Sequence, residues 1–293
     1  MSDGEYVDGS YWFFAPSKGA AIFFCIVFSL SGGVHVWQCS PLLELQNYHI
    51  LGRILYYVPY HSPIHPGRVL TTFGFVSGII EALNGWGASY SANQSLTDRD
   101  IETGHALIKT SLILQLVVAI LFVALAVVFH RRCIDNCIKN ERLYNPLVTL
   151  YVSISLILAR TIYRIVECFS IAELRYGPGF DPSTISPIVR YEWFFYVFEA
   201  AVMLINAVMF NVCHPRRYLP KNNKIYLSPN GVTEVEGPGF KDPRAFLQTL
   251  VDPFDVHGLI TGRGRETERF WDGEVNAPAG DIGKAAKSDV ETV

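Results

Sequence analysis

The chain has 293 residues, 50% of them hydrophobic and 17% charged, with a formal net charge of −3. Soluble domains carry about 25% charged residues, so the composition points away from an ordinary water-soluble fold. No basic block with interleaved aromatics is present, which argues against nucleic acid as a partner.

The chain opens on an acidic segment with Asp3, Glu5 and Asp8. It lacks the basic start of a cleavable signal, so the first apolar run, Pro16–Val36, is expected to stay as an anchor. Leu42–Tyr60 is ambiguous: it carries Glu44, Gln46, Asn47, His49 and Arg53 and ends in Tyr56, Tyr57 and Tyr60. It reads as an interfacial segment with an aromatic belt. Further apolar runs follow at Val69–Ala88, Leu107–Phe129, Leu147–Phe169 and Trp193–Val212. Each is near the ~20 residues that cross a bilayer. A soluble core can hide one such helix, whereas five in a row argue for a membrane.

Lysine and arginine set the orientation. The loop after the third run holds Arg131, Arg132, Lys139 and Arg142, and the tail opens with Arg216, Arg217, Lys221 and Lys224. These clusters fall on one side, so the N-terminus is expected outside and the tail in the cytosol. Asn93-Gln94-Ser95 is a glycosylation sequon in a loop then facing outward, making Asn93 a candidate site. Cys133 and Cys137 flank a membrane exit and are palmitoylation candidates. The six cysteines show no paired metal spacing and otherwise read as small buried hydrophobes. Pro215 ends the last run. Beyond it lies a tail rich in Gly, Pro and charge, which pulls the mean hydropathy down to +0.23. The predicted organisation is an all-α polytopic membrane helix bundle with five clear spans. It has an extracellular N-terminus over 1–15, the bundle over 16–213, and a mostly disordered cytosolic tail over 214–293 with a short helix near Arg244–Val251.

Polar residues inside the runs are the informative ones. Arg160, Arg164 and Glu167 follow i, i+4, i+7 and share one stripe of the fourth run. Each charge inside a span costs roughly 2.5–3.5 kcal/mol on insertion scales, so a helix accepts it only when it is paired, wetted or used. Glu192, Tyr196, Glu199, Met203 and Asn206 form a matching stripe on the fifth run. The two runs are expected to be antiparallel neighbours whose opposite charges meet at similar depth. Two readings stay open: a fixed ion-pair clasp, or a polar site open to a cavity that takes a lipid head group or relays protons. Glu81 and Asn84 lie on the second run beside a Gly74–Gly78–Ala82 stripe suited to close helix packing. Gln115 is expected to make an interhelical hydrogen bond, and Lys109 to snorkel.

No H-E-x-x-H, G-x-S-x-G or P-loop is present, so neither enzyme chemistry nor ATP-driven pumping is expected of this chain. His35, His49, His61, His65 and His130 lack ligand spacing, and no metal or cofactor is expected.

The string Arg160-Thr-Ile-Tyr-Arg164-Ile-Val-Glu167, then Glu192, Tyr196 and Glu199, then His214-Pro215, resembles the end of the fungal lipid-translocating exporter family. These are RTA-like proteins, relatives of yeast aminocholesterol-resistance and sphingoid-base-release proteins. Trp12-Phe-Phe-Ala-Pro16-Ser17 looks like the family's first span, and Gly104 to His130 is similar to its fifth. Asn47-Tyr48 with Leu51-Gly52-Arg53 resembles the end of its third. The family has seven spans. The join near Cys39–Pro41 here skips the second and most of the third, together with a glutamate, Gly-Tyr and arginine motif. Glu199 stands where the family usually has Asp. The resemblance implies a plasma-membrane protein (alternatively of the endoplasmic reticulum or vacuole) that moves or releases amphipathic lipids, sphingoid-base or sterol-like, in drug or stress resistance. Its expected partners are membrane lipids and an amphipathic small-molecule substrate. A seven-span-receptor-like sensor and a truncated non-transporting paralogue are the alternatives. The sequence sets neither substrate nor oligomeric state.

Overall fold

The computed structural model describes residues 18–37, 43–93, 95–172, 186–214, 217–220, 222–228 and 230–236. Its helices are α1 Lys18–Trp37, α2 Leu43–Tyr57, α3 Pro66–Ala92, α4 Asp98–Asp135, α5 Glu141–Ala172 and the short α6 Pro187–Arg190. A last helix, α7, runs Glu192–Val212. Two strands follow, β1 Ile225–Leu227 and β2 Glu234–Glu236. Helices α4, α5 and α7 are long and apolar enough to cross a membrane, so the fold is a mostly helical integral membrane protein. The expected runs near 69–88, 107–129, 147–169 and 193–212 fall inside α3, α4, α5 and α7. The first overlaps α1, and the segment 1–15, expected to be extracellular, lies outside the described residues.

Local chemistry sets the helix ends. Pro66 occupies the first turn of α3, and the His65 side chain accepts from Gly67 N at 3.2 Å. Asp98 and Asp100 fill the first turn of α4, where the helix dipole favours negative charge. At the other end of α4, Cys137 takes the left-handed conformation (φ 55°) that closes a helix, and Ile138 N donates back to Cys133 O at 3.1 Å. Helices α3 and α4 form the most extensive helix pair, joined by a short turn. Their closest approach is at Gly87 and Gly104. A methyl group placed on Gly87 would lie 2.8 Å from Gly104 O, and one on Gly104 would lie 2.9 Å from Gly87 O. The Gly74–Gly78–Ala82 stripe does not provide this crossing. Gly74 faces Leu45 of α2, while a methyl on Gly78 would meet nothing within 4 Å.

Leu42–Tyr60 is corrected most. Instead of lying at an interface, α2 is the central element of the core, with Ile50, Leu51, Ile54 and Leu55 at 0–1% exposure. Asn47, Tyr48 and Arg53 are used on neighbouring elements, while His49 is exposed. Asn47 Nδ2 donates to Ser153 Oγ on α5 at 2.9 Å, and Tyr48 OH bonds Ser77 Oγ on α3 at 2.8 Å. Arg53 Nη2 donates to Pro220 O. At 15 residues and about 1.5 Å each, α2 rises roughly 22 Å, short of the ~30 Å hydrocarbon thickness.

The start of the tail is ordered, which the sequence reading missed. Strands β1 and β2 pair antiparallel with Tyr226 opposite Val235, and Gly231 (φ 72°) shapes the connecting turn beside Ile138. This hairpin seats Tyr226 and Leu227 in the core. Tyr57 OH and Arg142 Nη1 both donate to Glu234 Oε1, at 2.8 and 2.7 Å. Tyr60 OH donates to Ser228 O at 3.2 Å, and burial pushes its phenol pKa up, so the group stays a donor. Residues 237–293, including the helix expected near 244–251, lie outside the described residues.

The Gly87–Gly104 contact gives a direct check. Gly87→Val is expected to lower stability by about 1–3 kcal/mol, the usual range for overpacking, whereas Gly78→Val leaves it unchanged. Equal thermal shifts for the two variants in detergent would contradict the close crossing.

Candidate functional site

Helices α5 and α7 bring four charged side chains together inside an apolar bundle. Arg160 donates to Glu199 Oε1 through Nε at 2.8 Å, and its Nη2 lies 2.7 Å from the same oxygen. Arg164 Nη1 donates to Glu167 Oε2 at 2.7 Å. Its Nε stands 4.0 Å from Glu199 Oε2, a charge contact too long for a hydrogen bond. Tyr163 OH donates to Glu167 Oε1 at 3.2 Å. Two guanidinium and two carboxylate groups give the cluster no net charge, which suits a low-dielectric surrounding. The pairs are partly enclosed: the Arg160 side chain is 25% exposed and that of Glu199 17%.

Local backbone aims Glu199. Residues Tyr196–Ala201 form a π-helical turn within α7. Such a turn accommodates one extra residue, and one residue rotates the following face by about 100°. The stripe expected over 192, 196, 199, 203 and 206 is therefore broken. Tyr196 turns toward α1, where its ring stacks on Phe24 at 5.3 Å and 4°, and Glu192 hydrogen-bonds Tyr196 one turn along. Glu199 faces α5. Phe198, beside it, stacks on Tyr163 at 5.7 Å. One further acceptor is available: Glu199 Oε2 is buried and makes no hydrogen bond among the described residues.

Of the residues singled out from sequence, Arg160, Arg164, Glu167 and Glu199 are joined in one cluster. Asn206 lies deeper on α7 and is 0% exposed. Glu81 is exposed and Asn84 half-buried on α3, and Gln115 is half-buried on α4, a helix that supplies no member of the cluster. Lys109 Nζ lies 5.2 Å from the Phe169 ring centroid. Asn93 is exposed in the α3–α4 turn, as a glycan acceptor requires. Cys133 is 0% exposed within the core, which removes it as an acylation candidate; Cys137 is exposed. The sequence reading missed Tyr163 and the π turn. Tyr163 was signalled by its place four residues before Glu167. A π turn leaves no signature in hydrophobic spacing.

A family model described as RTA1 like protein matches residues 34–222, which include every member of the cluster. The chain belongs to that family. It is 37% identical to a lipid-translocating exporter-like protein of Leptosphaeria maculans, over 79% of this chain and 56% of that protein. It is 30% identical to a protein of the same description from Ajellomyces capsulatus, over 80% of this chain and 72% of the other. The chain thus spans about half the length of the first of these relatives. No solved structure matches.

A double-mutant cycle measures the pairing. Arg160→Ala and Glu199→Ala are expected to destabilise the bundle non-additively, with a coupling of about 0.5–3 kcal/mol read from thermal unfolding in nanodiscs. Additive effects would mean that the two groups do not interact in the membrane.

Proposed function

We propose that this protein moves or releases amphipathic lipids without ATP hydrolysis, the head group passing over the Arg160–Glu199 layer while its tails stay in the bilayer. The observation that carries this reading is the cluster's spare capacity. Glu199 uses one oxygen on Arg160 and keeps a second, buried, 4.0 Å from Arg164 Nε and without a hydrogen bond among the described residues, for a donor such as an ammonium group. Arg160 and Arg164 equally suit a phosphate or carboxylate. A π turn at the ion pair adds support, because such turns occur frequently at functional sites. The relatives' description as lipid-translocating exporter-like points the same way. Sphingoid-base and sterol-like amphiphiles are the proposed substrates, with a consequent part in stress or drug resistance, and the plasma membrane is the proposed location.

The topology proposed with it has five spans, α1, α3, α4, α5 and α7. Arg131, Arg132, Lys139, Arg142, Arg217 and Lys224 gather at the hairpin end, which is therefore assigned to the cytosol, with the N-terminus outside. A second reading, a truncated non-transporting paralogue, draws on the length of α2, too short to span alone. Sequencing of the transcript across residues 39–41 separates a genuine join from an erroneous one.

In proteoliposomes the wild-type chain is expected to accelerate release of a short-chain fluorescent sphingoid base. Arg164→Ala combined with Glu199→Ala should slow it about tenfold or more, equivalent to about 1.4 kcal/mol in barrier. Glu199→Gln, which keeps the side-chain shape, should slow it as well. Unchanged release in correctly folded variants would remove the cluster from the transport path.

A further inference from the structure

Asn206 of α7 is 0% exposed. Among the described residues neither its Oδ1 nor its Nδ2 has a hydrogen-bond partner. Burying an amide with both ends unfilled is costly, and native structures rarely tolerate it. Asn206 plays no part in the ion-pair cluster, so its burial needs a separate cause.

Its position supplies one. The Arg160–Glu199 bond fixes the register of the antiparallel helices α5 and α7. Ser153 lies seven residues before Arg160, and Asn206 seven after Glu199. Seven residues rise roughly 10 Å, so Ser153 and Asn206 lie at about one depth, inward of the ion pair, although the π turn carries Asn206 off the face of Glu199. Ser153 is also 0% exposed and accepts from Asn47 Nδ2 of α2 at 2.9 Å. Gln46, next to Asn47 and 2% exposed, holds a further unpartnered oxygen, Oε1. Three helices therefore place buried, uncharged polar groups at one level, beneath a carboxylate whose Oε2 also lacks a donor.

The chemistry of Asn206 narrows the ligand. A bare cation would fill Oδ1 and leave Nδ2 unmet, and an anion would do the reverse. Only a group that both donates and accepts satisfies the whole carboxamide, and a hydroxyl is the smallest such group. We propose that Asn206 lines an internal site for O–H ligands, supplied by water or by the hydroxyl of an amphiphile. About three O–H groups at hydrogen-bond spacing of about 2.8 Å would link Asn206 to Glu199 Oε2. The site stands whether or not the chain moves lipids.

Hydroxyl-radical footprinting in oxygen-18 water, with the full chain in phosphatidylcholine nanodiscs, tests it. Phe210 is 0% exposed and one turn from Asn206; Phe122 is 2% exposed and ringed by Tyr48 and Phe73. An internal water at Asn206 should label Phe210 several-fold faster than Phe122, and Asn206→Leu should bring Phe210 down to the Phe122 level. If that variant fails to fold, the wild-type comparison of the two rings still decides. Adding 1-decanol separates the sources. Protection of Phe210 by 1-decanol but not by decyl methyl ether assigns the site to an amphiphile hydroxyl as well as water, whereas no protection by either assigns it to water alone. Labelling of Phe210 as slow as that of Phe122 in the wild type, or labelling unchanged by Asn206→Leu, would overturn the proposal.

Discussion

The contact between Arg160 and Glu199 governs the far half of this bundle. Hydrophobic attraction does not hold helices together inside lipid, where the tails are as apolar as leucine. A charged side chain there is expensive alone and tolerable when paired. The pair thus ties α5 to α7 and sets their register. Removing one partner from this enclosed setting leaves the other charge poorly compensated, with Arg164 at 4.0 Å the remaining cation beside Glu199.

The two ends of the molecule differ in physical character. At the hairpin end, α2 sits in a dry core of Leu51, Ile54, Phe129, Leu143 and Leu227, all 0% exposed. The hairpin is laid over it and held by Tyr57, Tyr60, Arg142 and Asn140. Toward the far end the interior turns polar, first at Ser153 and Asn206 and then at the ion pairs. A close-packed core at one end and charged, partly enclosed groups at the other give the bundle a fixed base below an adaptable layer. Helices α3 and α4 are locked to each other at Gly87 and Gly104.

Much of this was legible in the sequence because lipid imposes simple rules. Span length marks α4, α5 and α7, and charges misplaced in apolar runs mark Arg160, Arg164, Glu167 and Glu199 as partners. The failures share a physical origin: polarity alone does not say what a residue faces. The polar residues of Leu42–Tyr60 suggested water, yet Asn47, Tyr48 and Arg53 turn to Ser153, Ser77 and Pro220. Glu192 was expected opposite the arginines, but helical spacing assumed an unbroken α-helix, and the π turn sets Glu199 on a different face from Glu192, which bonds Tyr196. The Gly74 stripe matched a packing motif, while the tight crossing fell to Gly87 and Gly104, which are close in space and distant in sequence. The hairpin after Pro215 depends on a docking surface assembled by α2 and the α4–α5 turn, which no local pattern reveals.

The most direct test of the account is a solid-state NMR distance between nitrogen-15 in arginine and carbon-13 in glutamate carboxyl groups, in lipid bilayers. The 2.8 Å separation of Arg160 Nε from Glu199 Oε1 should give strong dipolar transfer, assigned by its loss in Glu199→Gln. An Arg160 guanidinium with no carboxylate contact, in a folded wild-type protein, would contradict it.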